Sequence, residues 1–132
     1  MDDMIAKCIN ALCALAYENS KAKGFHKVRD AIDDLCLDSQ DSLTLKEDLH
    51  NHLDQACMAR IMGEVGEAVE AMRHGNPESE KIPGFSHVEE ELADTLIRIF
   101  DYCGLKQYDL GGAVIAKMSY NSGRPHLHGK NS

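Results

Sequence analysis

Gly63-Glu64-Val65-Gly66-Glu67-Ala68-Val69 and Glu90-Glu91-Leu92-Ala93-Asp94-Thr95-Leu96 carry the same device twice. Each holds two carboxylates three residues apart, Glu64/Glu67 in the first and Glu91/Asp94 in the second. Positions i and i+3 of an α-helix share a face, so each pair points one way. Val65, Ala68, Val69 and Met72 sit beside the first pair, and Leu92, Thr95, Leu96 and Ile99 beside the second. The acids therefore lie along the edge of a core-facing stripe. If the two helices form a hairpin, four carboxylates converge, and they repel strongly unless a cation sits among them. Oxygen ligands alone select a hard ion, Mg²⁺ or Mn²⁺. One E-x-x-E by itself is usually a solvated acidic face. Two copies at matching phase beside apolar stripes favour a metal site.

Outward from these motifs the chain reads as helix after helix. Ile5, Ile9, Leu12, Cys13 and Ala16 recur at helical spacing, predicting a first helix from Met4 to about Ala22 that Gly24 stops. A short helix is expected over Lys27 to Leu35, then a polar loop at Asp38-Ser39-Gln40-Asp41-Ser42. Thr44-x-x-Glu47 can form a capping box, so a long helix is expected from Leu45 to about His74, with room for a break near Asn51. Gly75-Asn76-Pro77 ends it. Ser86-x-x-Glu89 is a second capping box, which starts the next helix at His87 and carries it to about Cys103-Gly104. Asp109 can cap a last helix running to Ser122, before Gly123 and Pro125. The expected architecture is one all-α domain over residues 1–132, an antiparallel four-helix bundle with a short extra helix. So short a chain, with apolar residues on more than one side of its helices, predicts an oligomer.

Composition narrows the function. The chain has 132 residues and a net charge of −8, which disfavours a basic face for a nucleic-acid polymer. Lys7, Asn10 and Glu18 interrupt the N-terminal apolar run, so neither a signal peptide nor a membrane span is expected. Its five cysteines are odd in number and lack metal-like spacing, pointing to reduced thiols in the cytoplasm. His50-x-His52 and His126-x-His128 lack a third ligand for zinc, and Glu47-x-x-His50 is a single copy of a motif that di-iron bundles use twice. A Gly-rich phosphate loop, a Ser-His nucleophile and a dinucleotide fingerprint are all missing. Lys117, Asn121 and Arg124 fall at i, i+4 and i+7, a cationic end in a chain with only 14 Lys and Arg.

The acidic pair in this order, with the tail Lys117-Met118-Ser119-Tyr120-Asn121-Ser122-Gly123-Arg124-Pro125 and His128-Gly129-Lys130, resembles the MazG-like all-α nucleoside triphosphate pyrophosphohydrolases. The resemblance spans about residues 56 to 130. It implies a Mg²⁺-dependent hydrolase that cleaves (deoxy)nucleoside triphosphates to monophosphate and pyrophosphate. It implies metal ligation by Glu64, Glu67, Glu91 and Asp94, with Glu64 or Glu67 activating water. Lys117, Asn121, Arg124 and Lys130 would hold phosphates, Arg98 would assist from the Asp94 stripe, and Phe25 would stack on the base. A homodimer, or a tetramer, is implied as well. The alternatives are a phosphoribosyl-ATP pyrophosphohydrolase and a non-catalytic helical dimer that binds a nucleotide or a partner protein.

Overall fold

The computed structural model describes residues 1–36 and 39–124. Its helices are α1 (Asp2–Ala22), α2 (Lys27–Asp33), α3 (Gln40–Arg73), α4 (His87–Lys106) and α5 (Leu110–Ser122), with no strand among the described residues. The all-α architecture expected from the sequence is the one observed.

Helix α4 is central. Its capping box forms as the sequence predicts: Ser86 Oγ accepts from the Glu89 backbone N–H, and Glu89 Oε2 accepts from that of Ser86 at 2.7 Å. Gln107, in a left-handed conformation at φ 54°, ends the helix. α4 packs against α1 on one side and α3 on the other. Both contacts are antiparallel. Ser20 meets Asp101 while Cys13 meets Gly104, and Asp54 meets Lys106 while Glu64 meets Arg98.

Two glycines set the closest approaches. A Cβ on Gly104 would lie 2.3 Å from the Cys13 carbonyl oxygen, so α4 and α1 touch backbone to backbone there. A Cβ on Gly111 would lie 2.1 Å from the Ala6 carbonyl oxygen, which brings the start of α5 onto α1. Asn10 fastens that junction: its Nδ2 donates to Asp109 Oδ1 at 2.7 Å, and its Oδ1 accepts from the Gly111 N–H at 2.8 Å. Asp109 in turn caps α5 through the Gly112 N–H, as its position predicts.

Helix α3 departs from expectation. It begins at Gln40, five residues before the expected start, and runs unbroken through Asn51. Ser39, not Thr44, is its cap, accepting from the Ser42 N–H at 3.2 Å. Thr44 lies inside the helix and donates to the Gln40 carbonyl. A run of Ser, Gln and Asp reads as loop because such residues favour turns, yet they also supply the acceptor that opens a helix.

The apolar stripes are only half covered. Ala68, Ala71 and Thr95 are buried, but Val65, Val69, Met72, Leu92 and Leu96 remain exposed. Buried instead are Glu64 and Glu91.

Candidate metal and nucleotide site

Carboxylate oxygens of Glu64, Glu67 and Glu91 lie within 4.8 Å of one another. α3 supplies the first two from adjacent turns, and the antiparallel α4 brings the third against them. Glu91 is 1% exposed. Its Oε1 faces His87 Nε2 at 2.9 Å, and its Oε2 is buried with no hydrogen-bond partner. Burial pushes the Glu91 carboxyl above its ordinary value; the His87 hydrogen bond opposes the rise, and the charges of Glu67 and Glu90 add to it. A buried anionic oxygen left unpaired costs several kcal/mol unless a cation completes it. Three converging carboxylates, one of them with an orphaned oxygen, fit a hard divalent ion.

Of the other sequence-predicted residues, Asp94, Arg98 and Phe25 fall at the cavity beside this group. Asp94 lies one turn along α4, outside the three-carboxylate group, and lines the adjoining cavity. Arg98 donates through Nε to Glu64 Oε1 and lines the same cavity. Phe25 stands at the cavity with 70% of its surface exposed. Lys117 and Asn121 lie on the exposed end of α5, which packs on α1, Arg124 lies just beyond it, and none of them lines the cavity. There the Lys117 ammonium sits 4.7 Å from the Tyr120 ring centre, and the Arg124 guanidinium 5.9 Å. Lys130 falls outside the described residues.

The cavity holds about 370 Å³, within the range of small-molecule sites. Phe25, Val28, Leu53 and Ile97 give it apolar walls, and Ser20, His26, Arg60 and Asp101 polar ones. Several of these carry no motif in the sequence. Asp101 Oδ2 accepts from the Ser20 hydroxyl at 2.9 Å, and Oδ1 faces His26 Nε2 at 2.8 Å. The buried His26 ring also packs on Tyr17, with 5.1 Å between ring centres. Arg29, which also lines the cavity, donates to Asp54 at 2.5 Å and meets His50 Nδ1 at 2.8 Å, while Lys106 donates to the other Asp54 oxygen at 2.7 Å. Burial alone would push the Asp54 carboxyl up, but the Lys106 and Arg29 contacts outweigh it and hold it below the ordinary value. The sequence carries no motif for this network.

At the far end of α4, Glu90 accepts from the Ser79 hydroxyl at 2.6 Å and lies 2.5 Å from the Lys81 ammonium. Those contacts tie the loop before α4 to its first turn.

Fold and site define an all-α protein with an acidic cluster between two antiparallel helices and a cavity beside it. The family model of the MazG nucleotide pyrophosphohydrolase domain matches residues 53–125, more than half of the chain, and the chain belongs to that family. It is a family of hydrolases acting on nucleotides. No curated protein and no solved structure gives a match to the chain.

Proposed function

We propose that the protein hydrolyses (deoxy)nucleoside triphosphates to the monophosphate and pyrophosphate with Mg²⁺, or Mn²⁺, as cofactor. The observation that carries this is the convergence of Glu64 and Glu67 on Glu91, a carboxylate with one buried, unpartnered oxygen, in a chain of this family. Glu64, Glu67 and Glu91 would hold the ion, with Asp94 the fourth carboxylate one turn along. Bound there, the ion supplies charge screening for phosphate oxygens and a lower pKa for water.

Each side chain then has a task. Glu67, the exposed member of the cluster, is the carboxylate best placed to take a proton from the attacking water, with Glu64 the other candidate. Arg98 holds Glu64 in place and, at 42% side-chain exposure, can also reach a phosphate oxygen. Phe25 would stack on the base at the cavity mouth.

Lys117, Asn121 and Arg124 lie away from the cavity of their own chain. A homodimer, or a tetramer, in which α5 of one copy approaches the site of another would bring these phosphate-binding groups in. The exposed Val65, Val69, Leu92 and Leu96 support such pairing, since patches of this kind mark interfaces. The five free cysteines support a reducing compartment, the cytoplasm. Among the described residues no helix is long and apolar enough to cross a membrane.

Metal removal tests the proposal. Protein treated with EDTA should release no pyrophosphate, and added Mg²⁺ should restore the reaction. Full turnover in EDTA would contradict the assignment.

A further inference from the structure

Glu91, Asp94, Arg98 and Asp101 stand at i, i+3, i+7 and i+10 on α4, a single stripe. Its first member belongs to the carboxylate cluster, and the other three line the cavity. At 1.5 Å of rise per residue, Asp101 lies about 15 Å beyond Glu91 and about 10 Å beyond Asp94 along the helix. With phosphates at the cluster, that span leaves room for a sugar, and the base then reaches Asp101. We propose that the Asp101 carboxylate reads the base edge and selects bases that present an amino group over thymine and uracil. The inference rests on the pyrophosphohydrolase assignment above and adds the substrate's base class to it.

Asp101 is built as a fixed acceptor. The Ser20 hydroxyl holds one oxygen and the His26 imidazole the other, and His26 is itself buried against Tyr17. The Asp101 side chain keeps 22% of its surface exposed. Each carboxylate oxygen has two lone-pair sites and can offer only acceptance. Cytosine N4, adenine N6 and guanine N2 are amino donors that satisfy it. Thymine and uracil place the O4 carbonyl at that ring position, where two acceptors face each other in a partly desolvated cavity, and their one edge donor, N3–H, lies one ring position away. The other charged groups discriminate less. Arg29 is engaged by Asp54 and His50, and Arg98 by Glu64. Arg60 can donate to O2, which cytosine and uracil share.

The cleanest comparison is dCTP against dUTP, equal in size and different at C4. The wild-type protein should show kcat/KM higher for dCTP by roughly 10- to 100-fold, the effect of one hydrogen bond to a charged group. The deoxycytidine analogue with hydrogen in place of the 4-amino group should fall to the dUTP level. In Asp101→Asn the ratio should collapse toward one, because an amide can turn its NH₂ toward O4 while its oxygen still accepts from His26. Circular dichroism confirms that the variant is folded. Ser20→Ala, which leaves the carboxylate in place, should keep the preference. Equal kcat/KM for dCTP and dUTP, full activity on the 4-hydrogen analogue, or an unchanged ratio in folded Asp101→Asn would each overturn the proposal. Turnover of neither nucleotide would instead remove the activity beneath it, and the inference with it.

Discussion

Glu91 is the residue on which the site turns. It is almost fully buried, one oxygen has no partner, and two further carboxylates face it. Such a group costs stability when no cation is present. Glu91→Gln should therefore raise the Tm of metal-free protein by roughly 3 °C or more, the shift that about 1 kcal/mol gives in a chain of this size. Mg²⁺ should raise the Tm of the wild type by binding only its folded state, and should leave Glu91→Gln unmoved. A lower Tm for the variant in EDTA would make Glu91 a structural group. At the other end of the chain, Arg124→Ala should weaken binding of a non-hydrolysable triphosphate analogue by about 1.5–3 kcal/mol at fixed salt. A change below about 0.5 kcal/mol would return the α5 tail to ordinary surface charge. The acids were legible in the sequence because spacing and apolar framing survive without coordinates. That Glu91 joins the cluster while Asp94 turns to the cavity was not, since the two acids share one helix face. The Ser20–His26–Asp101 contact was not legible either. It joins residues 75 and 81 positions apart with no shared pattern.

At the scale of elements, local chemistry fixed most helix ends. Ser86 and Asp109 cap α4 and α5 where their types and spacing predict. Gly24, at φ 83°, follows α1 as a stop. The start of α3 was misread because Ser39 and Thr44 both have a cap's chemistry, and only tertiary placement chooses between them. Packing between helices is less legible, since a glycine on a helix does not announce its neighbour. Gly104→Ala must push α4 away from Cys13 or strain both backbones. A loss of about 1–3 kcal/mol in urea unfolding is expected. An unchanged midpoint would mean that the two helices are not in backbone contact. The Arg29–Asp54–Lys106 contact, which joins α2, α3 and α4, carries a pH dependence. Asp54 has a folded pKa below its unfolded one. Its contribution is therefore fully present above the unfolded value of about 3.9 and is lost as pH falls through the lower, folded value. Acid unfolding of Asp54→Asn should be flatter in that window. The variant should also be less stable at neutral pH by about 3 kcal/mol, because Arg29 stays buried without its carboxylate partner. Parallel pH profiles for wild type and variant would contradict this.

For the whole molecule, α1 and α3 flank α4 and leave apolar faces open. Light scattering should give a mass at twice or four times the chain's 14.6 kDa, and a value at 14.6 kDa in dilute solution would refute assembly. The sequence predicts assembly from the excess of apolar faces but not which face is used, since a stripe facing a core and a stripe facing a second copy look alike in one chain. The central claim is the position of the cut, between the α- and β-phosphates, under a divalent ion held by Glu64, Glu67 and Glu91. It is tested most directly by ³¹P NMR of a deoxynucleoside triphosphate incubated with the protein and Mg²⁺. One monophosphate and one pyrophosphate per turnover are expected. Diphosphate and inorganic phosphate as products would contradict it.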